Sequence, residues 1–139
     1  MLSSLVARSS PVPAPGPRST LVQSFAYAGQ GLHYAWMSQR NFRIHLGMAT
    51  VALVWSAGVH LPLAQTAVIV LTIGLVLALE LVNTALEAVV DLTVGQTYHE
   101  LARIAKDCAA AAVLVTALAA VGVAGLLLVP ASLVCWGQG

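Results

Sequence analysis

The strongest constraint on this chain is a run of 36 residues, Ile44 through Leu79, that holds no charged side chain. A second uncharged run begins at Cys108 and reaches Gly139. In water such runs would need a large core to cover them. With 8% charged and 59% hydrophobic residues in 139, the chain falls far below the roughly 25% charge of an average soluble domain. The alternative solvent is a lipid bilayer, which a helix crosses with about 20 apolar residues.

Gly58, His60 and Pro62 divide the first run, and a proline disfavours helix at the residue before it. The division predicts two spans joined by a tight hairpin, one over 44–61 and one over 63–92. The first is near the lower length limit for a span and calls for local thinning or flanking anchors. The third span is predicted over 99–129, rich in alanines that let helices pack closely, with Pro130 marking its end and 131–139 as a short tail. Ahead of these, apolar residues recur from Leu21 to Ser38 at Leu21, Phe25, Ala28, Leu32, Ala35 and Trp36. That period of about 3.6 predicts an amphipathic helix lying on the membrane surface. Residues 1–20 carry Pro11, Pro13, Pro15 and Pro17 among serines, a composition with little to bury, and are expected to be a disordered leader. They lack the amphipathic helix of a transit peptide, and prolines interrupt any signal-peptide core. The expected fold class is therefore all-α: a surface helix and three transmembrane helices in a single domain over 21–130.

The charges are distributed unevenly. Arg8, Arg18, Arg40, Arg43, Arg103 and Lys106 are the complete set of cations, and all lie before the first span or between the second and third. The hairpin and the tail carry none. By the positive-inside rule the N-terminus and the 93–105 segment are expected in the cytoplasm and the C-terminus outside. A net charge of +1 and a single lysine leave no basic patch for nucleic acid. Cys108 and Cys135 are 27 positions apart, about 40 Å along one helix and beyond disulfide reach. Neither stands in an activating pattern, and His60 reads as a turn residue. Trp36, Trp55 and Trp136 fit anchoring at membrane interfaces.

The five acids gather near the same expected face. At 100° per residue, Glu80, Asn83, Glu87 and Asp91 share a stripe about 80° wide on one helix. Such side chains are costly against lipid, so they face protein, water or cations. Acidic oxygens beside an amide suit Mg²⁺, which prefers oxygen ligands and bridges to phosphates. The third helix opens with His99, Glu100, Arg103, Lys106 and Asp107, where His99, Arg103 and Lys106 share a face. Its cations can meet either the acids or a polyphosphate, and residue types alone leave a purely structural pairing of Glu87 and Asp91 with Arg103 and Lys106 equally open.

The segment Glu80-Leu-Val-Asn-Thr-Ala-Leu-Glu-Ala-Val-Val-Asp91, followed by Tyr98-His99-Glu100-Leu101 and Ala105-Lys106-Asp107, resembles the signature of the prokaryotic diacylglycerol kinase family, which includes undecaprenol kinases. The likeness extends through Gly31-Leu32 and Arg40-Asn41-Phe42-Arg43-Ile44-His45, and covers roughly residues 24 to 129. It implies an ATP- and Mg²⁺-dependent kinase of a membrane lipid hydroxyl, assembled as a homotrimer in a bacterial inner membrane. By the same resemblance, Glu80 is the general base and Asn83 helps position it. Glu87 ligates the metal bound to ATP, and Lys106 and Asp107 contact the nucleotide. These roles suit phosphoryl transfer, which needs positioning, a metal and a group that orients the nucleophile. No Gly-x-x-x-x-Gly-Lys loop is present, so a P-loop kinase is excluded.

Gln39 stands where the family pattern has a metal-binding glutamate; an amide oxygen can coordinate but brings no charge. Gln23 and Gln30 likewise stand where lysines are common. The Arg-Asn-Phe-Arg-Ile-His segment is closer to the undecaprenol branch. Two readings compete with a working kinase, namely a cation-binding membrane subunit and a catalytically weakened relative. A cation pathway has no need of Lys106 beside the acids, whereas a polyphosphate site does.

Overall fold

The computed structural model describes residues 20–95 and 97–137. The leader expected over 1–20 therefore lies, apart from Thr20, outside the described residues. These form four helices and no strand: α1 (Leu21–Ser38), α2 (Arg40–Gly58), α3 (Leu63–Val94) and α4 (Glu100–Gly137). The all-α class expected from the sequence is borne out.

Local chemistry explains most boundaries. Thr20 and Gln23 form a reciprocal capping box at the start of α1, with the Gln23 amide N–H donating to Thr20 Oγ1 and the Thr20 N–H donating to Gln23 Oε1. Two otherwise orphaned donors are satisfied there. Gln39 alone separates α1 from α2; its extended backbone (φ −104°, ψ 112°) turns the chain sharply. The α2–α3 hairpin uses His60 at φ 50°, an unusual conformation for a residue with a Cβ, and Pro62 as the cap of α3. Gly95, at φ 58°, closes α3 in the left-handed region that glycine enters without steric cost.

Helices α3 and α4 pack along each other as an antiparallel pair, with α2 against α3. Burial is thin. In the most apolar windows of α3 and α4 only 17% and 11% of residues are buried, whereas the core helix of a soluble protein is mostly covered. Leu71, Leu75, Leu114, Leu118 and Leu126 all face outward. Both helices are long and apolar enough to cross a membrane. The 19-residue α2 does not meet that measure, because Arg40, Asn41, Arg43 and His45 occupy its first turns; its role as a span stays an expectation.

A buried apolar cluster lies at the hairpin end. Leu61, Ile69 and Leu128 form a buried cluster, flanked by Ala52, Ile73, Ala124 and Ala131. Trp55 Nε1–H donates to Ser132 Oγ at 2.8 Å, and that hydroxyl donates to the Leu128 carbonyl at 2.7 Å. Trp55 thus ties α2 to α4, rather than serving only as the interfacial anchor expected of it.

One boundary needs correcting. The expected stop at Pro130 does not occur: α4 continues to Gly137 with Pro130 inside it. Proline removes one helical hydrogen bond, but residues on both sides, Leu128 and Ser132, are buried against the hairpin, and their packing holds the next turns in line. Arg103 and Lys106 stand on the first turns of α4, as expected of a third helix opening near His99.

Candidate functional site

At the end opposite the hairpin, α3 and α4 present their polar side chains. Glu80 is the deepest of these: only 3% of the residue is exposed. Its neighbour comes from α2, where His45 Nε2 lies 3.1 Å from Glu80 Oε1. The contact is close, yet the imidazole is not aligned for a hydrogen bond, and Oε1 has no other partner. One helical turn on, Asn83 Nδ2–H donates to Glu87 Oε1 at 3.1 Å, while Asn83 Oδ1 is buried without a partner. A further turn brings Asp91, which pairs across helices with Lys106 of α4 at 2.5 Å. Glu80, Asn83, Glu87 and Asp91 thus run as the single ridge that the helical period implies.

On α4, Arg103 reaches back to Glu100 and forward to Asp107, the latter at 2.7 Å. Tyr98 donates its hydroxyl hydrogen to Glu100. His99 precedes the helix, its Nδ1 accepting from the Leu101 N–H at 3.2 Å and its carbonyl from the Arg103 N–H. Of the structural pairing that the residue types left open, the Asp91–Lys106 half is present. Arg103 instead pairs within α4, and Glu87 pairs with an amide. The ion pairs are well exposed, with Asp91 61% and Lys106 37% exposed at the side chain, and exposed ion pairs contribute at most about 1 kcal/mol. They are cheap to break, so Lys106 is available to a stronger anion.

Gln39 lies half-buried at the α1–α2 break. Among the described residues no hydrogen bond joins its side chain to Glu87. Cys108 and Cys135 are free and exposed.

Between α2, α3 and α4, an apolar groove of about 120 Å³ runs from His45 toward the hairpin, lined by Ala49, Ala52, Val76, Ala120 and Ala124 among others. Its width comes from the alanines on α2 and α4. His45 is the one titratable side chain in its wall and also lies against the Glu80 carboxylate. No motif reading singled out His45 as a functional group. The signal that could have found it is register: His45 and Glu80 stand almost equally far from the hairpin, on antiparallel helices.

Set against known proteins, residues 26–128 match the family model for prokaryotic diacylglycerol kinase. A diacylglycerol kinase from Synechocystis sp. is 57% identical over 110 residues, which cover 79% of this chain and 63% of that protein. The chain thus spans less than two thirds of that relative's length. An undecaprenol kinase from Bacillus subtilis is 38% identical over 108 residues, covering 78% of this chain and 87% of the relative. A diacylglycerol kinase from Escherichia coli K12 is 33% identical over 101 residues, 73% of this chain and 82% of that one. The described fold defines a class of all-helical chains with helices long and apolar enough to cross a membrane. Within that class, the chain belongs to the prokaryotic diacylglycerol kinase family, as the motifs on α3 and α4 implied.

Proposed function

We propose that this protein transfers the γ-phosphoryl group of ATP to the hydroxyl of a membrane lipid, and that diacylglycerol is the acceptor. The observation that carries this reading is a buried carboxylate, Glu80, set 3.1 Å from His45 in the wall of an apolar groove, in a chain of the prokaryotic diacylglycerol kinase family. The choice of diacylglycerol over undecaprenol rests on the higher identity to the relative named for it, 57% against 38%, and runs against the branch likeness of the Arg40–His45 segment.

Glu80 acts as the general base. A lipid lying with its tail in the groove brings its hydroxyl to the level of Glu80, which takes the proton as the oxygen attacks phosphorus. Asn83, one turn on, holds the hydroxyl or the phosphate in line. General base catalysis of this kind contributes about 10²–10⁴-fold. The donor set on α3 fits Mg²⁺: the Glu87 carboxylate and the orphaned Asn83 Oδ1 are hard oxygens on adjacent turns. Mg²⁺ is commonly held by one or two carboxylates, with phosphates and water completing the shell. Bound with ATP, the ion would neutralise phosphate charge; Glu87 would hold it, with the Gln39 amide as a neutral second donor. Lys106 exchanges Asp91 for a phosphate oxygen, and Asp107, steadied by Arg103, contacts the nucleotide.

The outward apolar faces of α3 and α4 are covered by lipid and by neighbouring copies in a homotrimer. The charged end of the helices faces the cytoplasm, where ATP is, and the C-terminus lies outside, in a bacterial inner membrane. Purified protein in mixed micelles, given radiolabelled ATP, Mg²⁺ and either lipid, is expected to form phosphatidic acid faster than undecaprenyl phosphate. Label in neither product would overturn the reading. Faster labelling of undecaprenol would reverse the choice of acceptor. Impermeant thiol labelling of intact cells is expected to modify Cys135 before Cys108; the reverse order would invert the topology.

A further inference from the structure

We infer that His45 is a positioning residue for the Glu80 carboxylate, and that it fixes which oxygen of that carboxylate receives the lipid proton. The inference rests on the kinase reading above and adds to it a residue from a different helix.

Three observations carry it. First, Glu80 is almost fully buried, and His45 Nε2, at 3.1 Å, is the polar atom set against its Oε1. A carboxylate free to rotate about its last bond presents either oxygen in either direction, so one fixed donor on Oε1 leaves Oε2 as the acceptor for the substrate. Second, the ring is close but misaligned, with Oε1 unpaired. Hydrogen bonds in active sites are often poorly aligned before substrate arrives and tighten in the reacting complex. A small rotation of the imidazole completes this one. Third, His45 also lines the apolar groove, with 21% of its side chain still exposed. A tail entering the groove presses on the ring, and the same ring steadies the base. Occupancy of the groove and orientation of Glu80 are thereby linked through one side chain.

The other groups packed around Glu80 do not supply this donor. On its own helix the nearest ionisable side chain is Glu87, which accepts from Asn83. Helix α4 is uncharged from Cys108 onward, and its charges pair with Asp91 or with one another nearer the helix start. Helix α1 carries no acid, lysine or arginine.

The test compares His45→Ala and His45→Gln with wild type in the lipid phosphorylation assay. The glutamine variant keeps an N–H donor at about the same reach. Loss of the donor is expected to lower kcat about 10- to 100-fold, part of the range for general base catalysis. KM for ATP should change less than twofold, and His45→Gln should recover most of the lost rate. A His45→Ala enzyme with wild-type kcat, or a His45→Gln enzyme no better than His45→Ala, would overturn the inference. A second measurement needs no turnover: in ¹⁵N-labelled protein in micelles, Glu80→Gln should shift the His45 ring resonances and leave those of His33, His60 and His99 in place. Unmoved His45 resonances would refute the contact. If wild-type protein phosphorylates neither lipid, the kinase reading fails and the positioning role with it. If wild type is active and His45→Ala is equally so, only the positioning role fails.

Discussion

The two ends of the helical bundle are held by different forces. At the hairpin end, Leu61, Ile69 and Leu128 are buried together and one directed hydrogen bond, Trp55 to Ser132, joins α2 to α4. At the other end, one exposed ion pair, Asp91–Lys106, joins α3 to α4, with two buried oxygens, Glu80 Oε1 and Asn83 Oδ1, left unpaired. Unsatisfied buried polar atoms cost about 1–3 kcal/mol each. The hairpin end is thus held by apolar burial and one directed hydrogen bond, whereas the charged end leaves buried polar atoms unpaired.

The largest effect expected from this contrast is at Glu80. Glu80→Gln keeps shape and volume but removes the basic oxygen, so lipid phosphorylation should fall by at least about 10²–10⁴-fold, with helical content and membrane insertion unchanged. Substantial turnover by a well-folded variant would remove Glu80 from the role of base. At the opposite end, Leu128→Ala empties a site that is 2% exposed and should destabilise the protein by about 2–4 kcal/mol. Unfolding by SDS in mixed micelles measures the loss. The rate per folded molecule should stay within a factor of two, and a large fall in that rate would mean the two ends are not separable.

Lys106→Ala breaks an ion pair worth little to stability, so its cost should appear in nucleotide binding. KM for ATP is expected to rise about tenfold, the equivalent of 1.4 kcal/mol, with a thermal midpoint within two or three degrees of wild type. Unchanged KM together with a large loss of stability would assign Lys106 to structure. The smallest effect is expected at Gln39→Glu. Adding a negative charge near a divalent cation strengthens its attraction, so half-maximal activity should need less Mg²⁺ while the maximal rate changes little. A magnesium titration of both proteins decides it; an unchanged or higher requirement would show that position 39 is not a weakened metal ligand.

Much of this was legible in the sequence. The bounds of α1 and the hairpin follow from a clear helical period and the Gly58-to-Pro62 break, both local signals. The ridge of Glu80, Asn83, Glu87 and Asp91 follows from the helical repeat alone. Pro130 misled because its local preference for ending a helix was overruled by the burial of Leu128 and Ser132, and that burial depends on Trp55, Leu61 and Ile69, 59 to 77 positions away. His45 was missed for a similar reason. It closes the Arg40–His45 segment of the family likeness, but nothing in that segment points to Glu80, the partner 35 residues later. Local periodicity assigns faces to one helix at a time; which faces meet is decided by the turn between them.

That turn gives the hairpin the character of a ruler. With His45 and Glu80 set almost symmetrically about Leu61 and Pro62, the two arms must keep matched lengths. Inserting one residue in either arm would advance its polar group 1.5 Å along the axis and swing it 100° around the helix, parting imidazole from carboxylate without touching either. Among relatives of this chain, insertions and deletions between these two positions should therefore be scarce or occur in compensating pairs, while the segment joining α3 to α4 tolerates changes of length more freely.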